Sequence, residues 1–85
     1  MNSDSLQAGI EHRIADLRAA YPRISACHAT LEDWHEGAEP RYSLGLDIRW
    51  PQHQSLIAGP ACASAGQAVA AGFDKAARTL GQSHA

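Results

Sequence analysis

The sequence predicts an α+β two-layer sandwich in the order α-β-β-β-α, with a three-stranded antiparallel sheet and both helices on one of its faces. Three observations predict it. Leu6, Ile10, Ile14, Leu17 and Tyr21 recur at helical spacing near the start of the chain. Tyr42, Leu44, Leu46, Ile48 and Trp50 alternate with Arg41, Ser43, Gly45, Asp47 and Arg49, which is the period of two of a strand with one buried face. Ala65, Val69, Phe73, Ala76 or Ala77, and Leu80 draw a second helical stripe. Two stripes and one apolar sheet face are buried together when both helices stack on that face.

Taken in order, the first helix starts near Ser3, Asp4 or Ser5, whose side-chain oxygens can accept the orphan N–H groups of its first turn. It runs to about Ala20 or Tyr21, because the ring and missing N–H of Pro22 cannot continue the ladder. Strand one covers about Ile24 to Glu32, with Cys27, Ala29 and Leu31 on the core face. The polar stretch from Asp33 to Pro40, containing Gly37, reads as a loop. Strand two is Arg41 to Trp50, Pro51 to Gln54 is a turn, and Ser55 to Ala58 is a short third strand that Gly59-Pro60 breaks. The closing helix covers Ala68 to Leu80, with Gly81 as its stop and a disordered tail from Gln82 to Ala85. The whole chain, 1–85, is one domain with an ordered core over about 4–81, and Trp50, Leu46, Ile14, Leu17, Val69 and Phe73 are expected among its most buried side chains.

Composition narrows the function. A chain of 85 residues buries only about 60–65% of the surface its unfolded form exposes, so the core is thin and reliance on a partner is expected. Seven Lys plus Arg against nine Asp plus Glu leave a formal net charge of −2, which is not the strongly basic balance of a nucleic-acid binder. The N-terminus is polar and acidic, and no apolar run reaches membrane-spanning length, so a soluble cytoplasmic protein is expected, with no membrane partner. Cys27 and Cys62 have no CxxC spacing and read as free thiols.

The order and spacing of three segments carry a resemblance. Tyr21, Arg23 and Ile24 follow the first stripe and lead into Ala26-Cys27. Leu46-Asp47-Ile48-Arg49-Trp50-Pro51 closes the second strand, and Ala68-Val69 is followed by Phe73-Asp74-Lys75-Ala76-Ala77-Arg78-Thr79-Leu80. From Ser5 to Leu80 the chain resembles the ribosome hibernation-promoting factors, also called ribosome-associated inhibitors or sigma-54 modulation proteins. The resemblance implies a non-enzymatic factor that binds the small ribosomal subunit and its rRNA and modulates translation under stress, with no cofactor. Arg13, Arg18, Lys75 and Arg78 stand where members carry helix cations for rRNA contact, although the same side chains suit a solvated face with local pairs such as Asp74 with Arg78. Members of that family begin with a strand that pairs beside the one matching Ile24 to Leu31. Here the chain opens on the helix, and the loop after strand one reads His35-Glu36-Gly37-Ala38-Glu39 rather than basic. An interaction or self-association module of the same fold, with most RNA affinity lost, is therefore the alternative reading. A double-stranded-RNA-binding domain has the same element order, but Ala63-Ser64-Ala65-Gly66-Gln67 holds no Lys cluster at the start of the second helix.

The remaining chemistry is sparse. Zinc takes four N or S ligands, often as close pairs, whereas Cys27 and His28 are adjacent in a strand and face opposite ways. His28, His35, His53 and the cysteines therefore read as surface histidines and small core thiols, and no metal site is expected. A core-facing Cys27 makes a poor nucleophile, and no GxSxG, P-loop or HExxH pattern appears. Trp34, with His35 beside it, is a candidate partner contact, since a loop Trp can stack on a base, anchor a protein or fold back over the sheet edge. Cys27, Ala29 and Thr30 lie on a strand edge without Pro or Lys, where homodimer pairing is expected.

Overall fold

The computed structural model describes residues 3–83, and side chains over 5–82. It contains α1 (Ser3–Ala20), β1 (Ala26–Glu36), β2 (Glu39–Arg49), β3 (Gln54–Ala58) and α2 (Ala65–Ser83). The strands form one antiparallel sheet in the order β1-β2-β3. Ile10 and Leu17 of α1 share one apolar cluster with Leu44, Leu46 and Ile48 of β2 and with Val69, Phe73, Ala76 and Leu80 of α2. Both helices therefore lie on the core face of the sheet, and the α-β-β-β-α sandwich is as the sequence predicts. Leu44 and Ile48 are fully buried, each a site worth about 1.5–3 kcal/mol of apolar burial. Ile14 differs from expectation: it is half-buried, because α1 lies toward the outer edge of the sheet while α2 covers the central strand.

A close backbone approach sets how α2 sits on the sheet. A Cβ added to Gly72 would stand 2.8 Å from Leu44 Cβ and Cδ2, and one on Gly59 would stand 2.9 Å from the Leu44 carbonyl oxygen and 3.0 Å from Gly72 Cα. Two glycines thus let helix and strands close over Leu44. At the open end of β2, Trp50 meets Tyr21 edge-on at 6.5 Å between ring centroids and stacks on His53 at 5.3 Å. Its Nε1–H donates to Ser55 Oγ at 3.1 Å, and Trp50 N donates to His53 O at 2.9 Å to close the Pro51-Gln52 turn.

Several element boundaries differ from the sequence reading, the start of β1 among them, at Ala26 where Ile24 was expected. The stretch 33–40, expected as a loop, continues the ladder: β1 and β2 stay in register to Glu36↔Glu39, and only Gly37-Ala38 forms the turn. Gly37 has φ +63°, the positive value that the first central residue of a type II′ hairpin turn requires. Pro40 is tolerated because alternation turns its nitrogen away from β1, the side on which Tyr42 bonds to Cys62 and β3 has already ended. The closing helix starts earlier, at Ala65, where Ser64 Oγ accepts the Gln67 N–H at 3.2 Å in a Ser-x-x-Gln capping arrangement. It also runs through Gly81 and Gln82 to Ser83, so Gly81 is not its stop. Caps expected from Ser3 or Asp4 and the tail residues His84 and Ala85 lie outside the described side chains and residues. Among the described residues, no helix is long and apolar enough to cross a membrane.

Candidate functional site

The expected helix cations do not gather into one patch. α1 and α2 run side by side and leave an open groove of about 800 Å³ between them, floored by Leu17, Tyr21, Ala70 and Phe73 and rimmed by Arg13, Asp16, Gln67 and Asp74. Arg13 alone of the four lines it. Arg78 Nε lies 3.7 Å from Asp74 Oδ2 one helical turn back, both groups mostly exposed, so the pair adds only tenths of a kcal/mol. Arg18 Nη2 donates to the Ser25 carbonyl at 3.4 Å, beside the start of β1. Lys75 Nζ donates to the Ala58 carbonyl at 2.7 Å, at the end of β3. The last two therefore reach toward opposite edges of the sheet. The sequence marks all four as helix residues, but side-chain destinations depend on loop ends that helical periodicity does not encode.

Trp34 and His35 are also separated. Both lie within β1, so consecutive side chains point to opposite faces. Trp34, 37% exposed, stands on the helix-free face opposite Arg41. Arg41 is held in the ribbon by Glu39 at 2.6 Å, by Glu36 at 3.6 Å and by a bond to the Pro40 carbonyl at 3.2 Å. The ribbon beyond Leu31 and Tyr42 is thus an acidic arm with one pinned cation.

The β1 edge unites the third group. Cys27 and Ala29 face the core and are half-buried, whereas Thr30 is exposed on the helix-free face. Burial pushes the Cys27 thiol up; the Arg18 charge pulls it partly back and Asp47 adds to the rise. On the helix-free face His28, Asp47 and Leu56 form one cross-strand row. The Asp47 carboxyl is held below its ordinary range, chiefly by the 2.7 Å bond from Gln54 Nε2, against some desolvation, and further by Arg49 at 3.4 Å and the His28 charge. Leu56 is 74% exposed in this row. Sequence reasoning missed it because its strand is too short to show alternation. Cys27 and Cys62 are free thiols, and among the described residues no three His, Cys, Asp or Glu side chains come together as a metal-ion site. No protein-family model matches the chain, and no curated protein or solved structure matches it significantly.

Proposed function

We propose that this protein is a non-enzymatic, cytoplasmic ribosome-associated factor similar to the hibernation-promoting factors, binding the small ribosomal subunit through its helix layer and modulating translation under stress. One observation carries the reading: the segments that bear the resemblance are the segments that build the shared core. Leu46, Ile48 and Trp50 supply the buried face at the end of β2, and Val69, Phe73 and Leu80 supply that of α2. The helix layer is left outward with Arg13, Arg18 and Arg78 exposed on it. Each phosphate contact adds about 0.7–0.9 to the slope of log affinity against log salt, so three or four contacts give weak association with a slope of about 2–4.

Cosedimentation with ribosomes at two salt concentrations tests this. The wild-type chain is expected in the ribosome pellet at low salt and largely free at high salt. Replacing Arg13, Arg18, Lys75 and Arg78 together by Ala is expected to abolish pelleting and to cost no more than about 1–2 kcal/mol of stability, since exposed charges and a surface hydrogen bond contribute little. Undiminished pelleting of a folded quadruple variant would remove these residues as the contact surface. A second reading, an interaction or self-association module of the same fold, is favoured by the engagement of Lys75 with Ala58 and of Arg78 with Asp74. A wild-type chain that self-associates but stays free of ribosomes at low salt would select it.

A further inference from the structure

The core of this sandwich is closed on one side and open on the other. The partly buried hydrophobic side chains packed against it are Leu6, Ile14 and Tyr21, from α1 and the residue after it, and Cys27, Ala29 and Leu31, from β1. All belong to the same flank. The two sheet edges differ in the same sense. β3 is five residues long, ends at Gly59-Pro60, and has its terminal carbonyl taken by Lys75. β1 is eleven residues long, contains neither Pro nor Lys, and among the described residues pairs with no strand on its outer side. Such an edge is a template for an added strand.

Backbone alternation states which residues offer that template. Tyr42 and Leu44 direct their backbone bonds away from β1, to Cys62 and Gly59, so their partners Asp33 and Leu31 turn their own N–H and C=O groups outward, and Cys27 and Ala29 follow by alternation. An antiparallel twofold pairing must join these odd-numbered residues to one another, and that allows few registers. Centred on Ala29, the register sets Glu32 against Ala26 and forms no charge pair. Centred on Leu31, it sets Asp33 against Ala29 in the apolar strip. Centred on Thr30, it sets His28 against Glu32 on the helix-free face and Ala29 against Leu31 on the core face. It also sets Asp33 against Cys27, where the Arg18 charge is felt.

We propose that a second copy of this chain pairs with the outer edge of β1, antiparallel and centred on Thr30, so that His28 lies between its own Asp47 and the second copy's Glu32. The pairing forms one six-stranded sheet with all four helices on one face, and it covers Cys27, Ala29 and Leu31 together with the flank of α1. This inference is independent of ribosome binding: a ribosome-bound monomer would overturn it and leave the function proposed above intact.

Light scattering or sedimentation of the 85-residue chain from low to high micromolar concentration is the test. The wild type is expected to be dimeric at high micromolar concentration and to dissociate toward monomer at low micromolar concentration. Glu32→Gln, which removes the carboxylate set against His28 of the second copy, is expected to weaken the dimer several-fold. Thr30→Lys places two cations face to face at the twofold axis and is expected to give a folded monomer, with a thermal midpoint close to that of the wild type at concentrations where the wild type is monomeric too, since Thr30 is exposed. If that variant fails to fold, Thr30→Cys with both native cysteines replaced by Ser decides. Opposed residues at a non-hydrogen-bonded site sit about 4.5 Å apart at Cα, within disulfide reach, so mild oxidation is expected to yield a covalent dimer. A wild-type chain that stays monomeric at high micromolar concentration, a folded Thr30→Lys variant that remains dimeric, or a Thr30→Cys chain that does not cross-link would each overturn the proposal.

Discussion

Gly72→Ala is expected to destabilise this protein by about 1–3 kcal/mol, although it places a better helix former in mid-helix. Intrinsic propensity favours Ala over Gly by about 1 kcal/mol, so propensity and packing oppose each other here. Packing wins because the new methyl would stand 2.8 Å from two side-chain carbons of Leu44, and Leu44 is completely enclosed. Leu44→Ala alone is expected to cost about 2–5 kcal/mol by leaving a cavity. A domain of this size holds about 4–13 kcal/mol in total, so either variant lowers the urea midpoint clearly. In the Leu44→Ala background the extra methyl at position 72 no longer meets Cγ or Cδ2, but the Cβ of residue 44 still stands 2.8 Å from it. The clash is therefore relieved in part, and the double variant is expected to lose less than the sum of the two single losses, giving a favourable interaction energy in the double-mutant cycle. Strictly additive losses would show that helix and strand separate to admit the methyl.

Trp50→Ala is the second large effect, expected at about 3–5 kcal/mol. The side chain is 7% exposed and joins three parts of the chain: Tyr21 beyond α1, His53 in the turn, and Ser55 in β3. Trp50→Phe keeps an aromatic ring against Tyr21 and His53 but loses the indole N–H, and is expected to cost about 1–2 kcal/mol. Thermal or urea unfolding followed by far-UV circular dichroism reads both variants without relying on the fluorescence of Trp34. Equal losses for the two substitutions would mean that the hydrogen bond to Ser55, and not the ring, holds this end of the sheet.

The elements that bury a stripe were legible in the sequence, and those that bury nothing were not. β2 stands out because Leu44, Leu46 and Ile48 alternate against a solvent face, and α1 and α2 show their stripes as plainly. The outer ribbon, by contrast, is polar on both faces, so Asp33 to Pro40 carries no hydrophobic alternation, and Gly37 and Pro40 read as breakers. The turn signal was present in Gly37-Ala38, but only the register reveals that it is the whole of the turn. Ser64 and Gln67 likewise spelled a helix start that the small residues Ala65 and Gly66 between them obscured. Gly81 shows the limit of the stop signal: glycine permits a helix end without imposing one. For the candidate sites, residue type was readable and direction was not. Lys75 and Arg18 sit on helices, yet carbonyls at strand ends capture them. Trp34 and His35 are neighbours in sequence and opposed in space, because a strand replaced the expected loop.

The acidic ribbon gives one β-ladder two different stabilities along its length. Between Leu31↔Leu44 and Cys27↔Ile48 the β1–β2 pairs rest on the apolar cluster, whereas every residue from Glu32 to Pro40 is exposed. Backbone bonds in the inner half break only when the domain unfolds, and those in the outer half need only local fraying. In deuterated solvent the amides of Trp34 and Arg41 are expected to exchange orders of magnitude faster than those of His28 and Asp47, on the same pair of strands. The ribbon thus behaves as a hinged extension of a fixed sheet, opening and reclosing from the Gly37 end inward many times within the lifetime of one folded molecule.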